Sequence, residues 1–370
     1  MLDIHAACEE FRKLLEEQIL RAERISCVKK DFSHQKTITV GLIDGDGIGP
    51  IIMNQAVRVL NHLLCEEIAN GAITLKRIDG LTIENRSALG TSVPAEILTE
   101  IRSCDVLLKG PTTTPKGGTM ESANVTLRRE LDLFANVRPV VIPEQNIDWV
   151  FFRENTEGEY VLGSRGLELP GLTVDFKITT EEGTRRIARE AFEYARMNGR
   201  KRVSIVTKAN IMKKTDGMFS EICHEVARDY PEIETDEWYV DIMAANLVNK
   251  AIRSQFEVFL LPNLYGDIIT DEAAQIQGGV GTAGSANIGC SYAMFEAIHG
   301  SAPRMIEDGL GNYADPRSIL KAEAMMLRHI GRVCKAETLE KAIANCPCNV
   351  TGDSAGSSTA EYTDALLQFL

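Results

Sequence analysis

No stretch of the chain approaches the ~20 consecutive apolar residues that a membrane span requires, and no CxxC pair meets a second one or a histidine cluster, as a zinc site would demand. Basic charge is also short: 40 Lys and Arg stand against 53 Asp and Glu, a net charge of −13. That balance argues against nucleic acid and against an anionic membrane as partners. The nine cysteines are scattered, the nearest pair being Cys346 and Cys348, and are expected as free thiols in a reducing cytoplasm. The N-terminal stretch holds no uninterrupted apolar core, so a secretory signal is not expected; it is rich in acidic residues, so a mitochondrial transit peptide is not expected either. A low-complexity linker and an internal repeat are missing as well, and the strand–turn–helix stretch GDGIGP is not a GxGxxG fingerprint.

What is there is an ordinary globular composition over 370 residues, 44% hydrophobic and 25% charged, with room for two domains. Near the N-terminus Phe11, Leu14, Leu15, Ile19, Ala22 and Ile25 recur at helical spacing. They predict an amphipathic helix docked on the protein's own surface, whose removal lowers stability or changes assembly but spares the chemistry. From TITVGLID (37–44) onward, strand-like runs such as AITLKRID and CDVLLKG alternate with helical ones such as PAEILTEIRS. That alternation predicts βαβ units and an α/β fold with a mostly parallel sheet. The stretch DWVFFRENTEGEYVLGSRGLELPGLTVDFKIT breaks the rhythm with strand-like runs and little helix, which predicts a β-rich element in a second domain inserted into the first.

Several stretches carry chemistry. GDGIGP (Gly45–Pro50) sits between a strand and a helix and is either a tight turn or a binding loop. The segment Lys109–Pro139 brings Ser122, Asn124, Arg128 and Arg138, and Arg153 follows in FFRENTEGEY. Any one arginine is expected to pair with one of the many glutamates, but three near a Ser/Asn pair point to a polyanionic ligand. Tyr160 ends the segment FFRENTEGEY and Lys208 ends the strand-like run RVSIVTKAN; both are either core-rim residues or proton-transfer groups. Asp241 interrupts the apolar stretch WYVDIMAANLV, where a buried carboxylate needs a cation or donor. Asp267 and Asp271 lie one helical turn apart in NLYGDIITDEAA, as a solvated helix start or as two ligands of a divalent cation.

Taken in order, GDGIGP, KGPTTTP, SANVTLRRELDLFANVRP, RENTEGEY, KANIMKKTDGMF, NLYGDIITDEAA and FEAIHGSAP resemble the isocitrate and isopropylmalate dehydrogenase family of metal-dependent decarboxylating dehydrogenases, over about residues 37–365. The resemblance implies that family's α/β fold, with an N-terminal helical extension (1–35), a discontinuous cofactor-binding large domain (36–135 and 275–370) and a small substrate, metal and dimerisation domain (136–274). It implies Asp241, Asp267 and Asp271 as ligands of Mg2+ or Mn2+. Lys109, Thr113, Ser122, Asn124, Arg128, Arg138 and Arg153 become substrate-binding residues, with Tyr160 and Lys208 as the acid/base pair. NAD or NADP would be held by Asn210, Glu296, His299, Gly300, Ser301, Ala302, Arg304 and Asp315, together with the glycine-rich stretch 278–289. Lys208 and Asp241 would act in the partner's site, so a homodimer with shared active sites is implied.

The implied reaction passes a hydride from C2 of the substrate to the nicotinamide and releases the β-carboxylate as CO2; Tyr160 then protonates the enol. A small tricarboxylate is the expected substrate. The hydroxyl and amide of Ser122 and Asn124 resemble the isocitrate-specific version of the motif, which would make the chain a tricarboxylic-acid-cycle enzyme. Homoisocitrate, 3-isopropylmalate, tartrate or malate are the rival substrates, and a non-catalytic regulatory subunit is the rival of another class. Arg304 stands where NAD-using members carry aspartate, and Asp315 where asparagine is usual. Gly352 and Gly356 stand where NADP-using bacterial relatives offer a tyrosine and an arginine. NAD-leaning or dual cofactor use is therefore expected.

Overall fold

The computed structural model describes residues 4–25, 29–32, 35–115, 120–163, 165–279 and 283–370. Within them run strands β1 (Ile38–Ile43), β2 (Ile73–Arg77), β3 (Val106–Lys109), β4 (Ala135–Ile142), β5 (Ile147–Glu154), β6 (Leu167–Leu169), β7 (Leu172–Val174), β8 (Arg202–Thr207), β9 (Glu234–Tyr239), β10 (Val258–Leu261), β11 (Gly284–Ile288) and β12 (Ala293–Ala297). The chain forms two compact units, one of Met1–Val28 and Phe134–Ala273, the other of Lys29–Leu133 and Ala274–Leu370.

The unit Lys29–Leu133/Ala274–Leu370 carries strands in the order β2-β1-β3-β12-β11, parallel except for the antiparallel β11/β12 pair. Strands β1 and β3 read as nearly unbroken apolar runs because a parallel sheet is covered on both faces; Val40, Leu42, Val106, Leu107 and Leu108 are all buried. Helix Gly49–Leu63 starts with Pro50 in its first turn and buries Ile52, Met53, Ala56, Val59, Leu60 and Leu63, a stripe at helical spacing. Taking those side chains out of water contributes on the order of 10 kcal/mol before chain entropy is subtracted.

GDGIGP is a turn that ties two loops to this helix. Gly45 (φ 74°) and Gly47 (φ 59°) adopt left-handed conformations, and a Cβ on Gly47 would lie 2.0 Å from the Ser301 carbonyl. The Asp46 N–H donates to the Pro111 carbonyl at 2.7 Å and the Ile48 N–H to the Ser301 carbonyl at 3.0 Å. The buried Asp46 carboxylate accepts from the N–H groups of Ile83 and Thr113, both at 2.7 Å.

The unit Met1–Val28/Phe134–Ala273 carries the order β4-β5-β10-β8-β9, with β4/β5 antiparallel and the rest parallel, and a separate β6/β7 hairpin. Its centre is aromatic: Phe151 stacks on Phe259 at 4.3 Å, and Trp149 meets both rings edge-on. The N-terminal helix Ile4–Glu23 belongs to this unit. Leu14 is buried against Val161 and Leu162, and Phe11 stacks on Phe176 at 5.0 Å.

Two expectations need comment. Seven described cysteines are free, but Cys290 is disulfide-bonded, which corrects the reading of all nine as free thiols; its carbonyl accepts from the Lys30 N–H at 2.9 Å, a proximity that linear spacing does not reveal. Among the described residues no helix is long and apolar enough to cross a membrane.

Candidate active site

In the unit Met1–Val28/Phe134–Ala273, two arginines and a helix converge. The antiparallel register pairs Asn136 with Arg153 and Phe151 with Arg138, so Arg138 on β4 and Arg153 on β5 project from the same sheet face. Helix Asn263–Ile276 begins directly after β10. It presents Asn263, Gly266, Asp267, Thr270 and Asp271 at i, i+3, i+4, i+7 and i+8, one face of a helix.

Arg153 is almost wholly buried and gives Nε and Nη2 to the Asn263 Oδ1 at 3.0 and 2.6 Å, while its Nη1 bonds Asp267 Oδ1. The Tyr160 hydroxyl donates to the other Asp267 oxygen at 2.9 Å. Arg138 donates to Thr270 Oγ1 at 2.7 Å and to Asp271 Oδ1 at 3.0 Å. Gly266 is required here: a Cβ would lie 2.5 Å from Arg153 Cγ. Asp267 and Asp271 remain 37% and 61% exposed, so two carboxylates reach the surface beside buried arginines. That donor set fits a cation of the Mg2+ or Mn2+ type, which takes one or two carboxylates and fills its other positions from substrate and water.

Asp241 is not part of this group. It is exposed, in the first turn of helix Val240–Val248, and pairs with Lys208 Nζ at 2.6 Å. The hydrogen bond from Lys208 holds the Asp241 carboxyl below the usual carboxylate range. The buried, cation-seeking carboxylate expected from the apolar stretch is thus an exposed one with a lysine beside it. Among the described residues no three His, Cys, Asp or Glu side chains cluster as a metal site. Lys208 directly follows β8, its N–H held by the buried Asp216 carboxylate at 2.7 Å, and Asn210 comes next, exposed, in a turn.

The unit Lys29–Leu133/Ala274–Leu370 holds a second charged group. Lys109 on β3 and Glu296 on β12 are register partners, and their side chains meet at 3.1 Å with both residues buried. Glu296 also accepts from Arg128 at 3.2 Å and from Asn287 at 2.8 Å. Burial pushes Glu296 upward, but Lys109 and Arg128 outweigh it and hold the carboxyl at about 2. Glu296 therefore aims the two cations as a permanent anion. Arg128 keeps its buried Nε without a hydrogen-bond partner among the described residues, a donor available to a carboxylate.

Ser122 stands at the N-cap of helix Ala123–Glu130 without a side-chain cap bond, and Asn124 Oδ1 accepts from Thr112 at 3.1 Å. Thr113 and Ser301 hydroxyls are 2.6 Å apart. His299 Nδ1 lies 3.0 Å from the Gly300 carbonyl, its buried Nε2 has no partner among the described residues, and burial pushes its pKa down. Ala302 takes a left-handed conformation (φ 44°) ahead of Pro303, and Arg304 is exposed. Asp315 is gripped by Arg317, through Nη2 at 2.6 Å and the backbone N–H at 2.9 Å. In the glycine-rich stretch, residues 280–282 lie outside the described residues.

Asn263, Gly266 and Thr270 were not expected as site residues. All three share the helical periodicity of the two aspartates, so the signal was present; Asn287 falls in the glycine-rich stretch 278–289 expected at the cofactor, but its bond to Glu296 was not foreseen.

The family model described as isocitrate/isopropylmalate dehydrogenase matches residues 39–366. Two Arabidopsis thaliana mitochondrial NAD-isocitrate dehydrogenase subunits are similar to the chain. Catalytic subunit 5 is 40% identical over 370 residues, covering 93% of this chain and 92% of its own. Regulatory subunit 1 is 40% identical over 343 residues, with 89% and 88% covered. The crystal structure of isocitrate dehydrogenase from Methylococcus capsulatus superposes with a TM-score of 0.79 at 36% identity, covering 90% of this chain and 99% of that one. The expected cytoplasmic localisation does not stand, because both plant relatives are mitochondrial by name. Free thiols do not tell one reducing compartment from another.

Proposed function

The chain belongs to the isocitrate/isopropylmalate dehydrogenase family, and from that premise we propose that it oxidatively decarboxylates isocitrate to 2-oxoglutarate and CO2, reducing NAD or NADP in a metal-dependent reaction. One observation carries this reading: the Asp267 carboxylate is held between Arg153 and the Tyr160 hydroxyl. A cation ligand, a carboxylate clamp and a proton donor are thereby joined at one side chain.

Each residue then has a task. Arg138 and Arg153 bind substrate carboxylates through planar, charge-assisted bonds, and Arg128 offers its spare Nε. Bound Mg2+ or Mn2+, held by Asp267 and Asp271, supplies Lewis-acid stabilisation of the negative charge that develops on substrate oxygen. Tyr160 delivers the proton to the enol carbon left by decarboxylation. A base chain through Lys208, which passes one proton onward for each it receives, takes the hydroxyl proton as hydride leaves C2. Lys208 and Asp241 serve the partner subunit's site in a homodimer. Their separation from the Asp267 group within one chain supports that assignment. Ser122, whose hydroxyl is not spent on capping its helix, hydrogen-bonds the third carboxylate that isopropylmalate lacks.

The test is absorbance at 340 nm with isocitrate, homoisocitrate, isopropylmalate and tartrate, each with NAD and NADP and with Mn2+ or EDTA. Isocitrate with Mn2+ is expected to lead. Equal inertness to all four would favour a regulatory subunit.

Residues 299–304 and 315 hold the adenosine end of the cofactor. Asp315 is occupied by Arg317 and poorly placed to accept from a ribose hydroxyl, whereas the exposed Arg304 attracts a 2′-phosphate. Arg304→Asp is expected to raise the ratio of kcat/KM with NAD to that with NADP about tenfold, and to weaken NADP binding by fluorescence titration in step. An unchanged ratio would mean that Arg304 points away from the adenosine.

A further inference from the structure

We propose that Arg21, on the N-terminal helix that lies outside the matched family region, is a positioning residue that orients Asp267 and Tyr160 through Glu157 and the hydrogen bonds that run on from its backbone. The proposal rests on the activity argued above and names an unexpected contributor to it.

The chain of contacts runs entirely within one compact unit. Arg21 is aimed by the buried Gln18, whose Oε1 accepts from Arg21 Nε at 2.8 Å. Its Nη2 reaches the Glu157 carboxylate at 2.8 Å, and Glu157 is 3% exposed there. The same carboxylate accepts from the Thr180 N–H at 2.8 Å and from the Thr180 hydroxyl. Gly183 leaves it room, since a Cβ would lie 2.4 Å from Glu157 Oε1. The Glu157 carbonyl accepts from Asn263 Nδ2 at 2.9 Å. Asn263 Oδ1 accepts from Arg153 Nε and Nη2, Arg153 bonds Asp267, and Asp267 accepts from Tyr160. Glu157 and Tyr160 also sit in one short loop, RENTEGEY, pinned by the Gly158–Ile178 bridge.

Physics requires a cation at Glu157. A second carboxylate, Glu154, is buried beside it, 2% exposed, and accepts from the Thr156 and Glu157 N–H groups at 3.0 and 2.6 Å. Burial first, and then Glu157, push the Glu154 carboxyl up to about 7. Without Arg21 the Glu157 charge loses a direct partner in a place where unpaired charge is costly, and the loop carrying Tyr160 must shift to reach water. The helix is fixed well enough to deliver Arg21: Leu14 is buried, Phe11 stacks on Phe176, and Arg165 bonds Glu17 at 2.6 Å. Removal of the helix is therefore expected to impair the chemistry, contrary to the reading from its sequence alone.

The experiment uses the full chain and the variants Arg21→Gln, Arg21→Lys, Gln18→Ala and Arg12→Ala. Arg12 sits exposed on the same helix and pairs with Glu9 and Glu16. Arg21→Gln is expected to lower kcat for isocitrate about tenfold and to raise the Mn2+ dissociation constant about tenfold, read from the electron paramagnetic resonance of free Mn2+. KM for the nicotinamide cofactor stays unchanged. Arg21→Lys recovers most of both losses, Gln18→Ala shifts both constants the same way by a smaller factor, and Arg12→Ala shifts neither. Wild-type kcat and Mn2+ affinity in Arg21→Gln overturn the proposal, even if its melting temperature falls. If Arg21→Gln does not fold, wild-type constants in Gln18→Ala overturn it instead. The Mn2+ measurement needs no turnover: a wild-type protein inert toward isocitrate sinks the proposed activity, while a shifted Mn2+ constant still upholds the network.

Discussion

Asp267→Asn is expected to lower kcat by about three orders of magnitude or more while leaving the protein folded. Asparagine keeps one carbonyl oxygen for Arg153 but removes the charge, and it offers an amide where Tyr160 now finds an acceptor. A hard divalent cation loses an anionic ligand, and the proton donor loses its orienting partner. Stability suffers much less. Arg153 retains two bonds to Asn263, at 3.0 and 2.6 Å, and the Asp267 side chain is 37% exposed, so the loss amounts to about 1–2 kcal/mol. Steady-state kinetics with Mn2+ and circular dichroism melting of the same preparation separate the two effects. Undiminished turnover in Asp267→Asn would remove this aspartate from the chemistry.

Mixing two dead chains is expected to restore activity. Tyr160→Phe removes the proton donor of the Asp267 group, and Lys208→Met removes the lysine paired with Asp241. If Lys208 and Asp241 serve the partner subunit's site, a mixed dimer has one site with both defects and one with neither. Random reassociation of equal amounts makes half the dimers mixed, so about a quarter of wild-type activity returns. If both residues served their own chain, each mixed dimer would carry two damaged sites and stay dead. Dead mixtures in which mass spectrometry shows mixed dimers would refute the shared-site assignment.

The parts of the site that are legible in the sequence are those carried by local periodicity. Asp267 and Asp271 declare themselves because like charges one turn apart demand an explanation. Asn263, Gly266 and Thr270 lie on the same stripe but carry no charge, and their importance appears only when Arg153 is seen crossing Gly266 to reach Asn263. Arg138 and Arg153 are recognisable as strand arginines, yet their shared face depends on the β4/β5 register, which pairing sets rather than either segment alone. Glu296 illustrates a further limit. The resemblance assigns it to the cofactor, and within the chain its partners are Lys109 and Arg128, far from it in sequence, and the nearer Asn287. GDGIGP reads equally as a turn or a loop until Asp46 is seen binding the N–H groups of Ile83 and Thr113. The Arg21–Glu157 contact spans more than a hundred residues, and no spacing rule reaches that far.

The products of one reaction decide the assignment most directly. Wild-type protein with isocitrate, Mn2+ and either nicotinamide cofactor is predicted to yield reduced cofactor, 2-oxoglutarate and CO2 in equal amounts, and EDTA is predicted to stop all three. Full turnover in EDTA, or reduced cofactor formed without CO2, would contradict it.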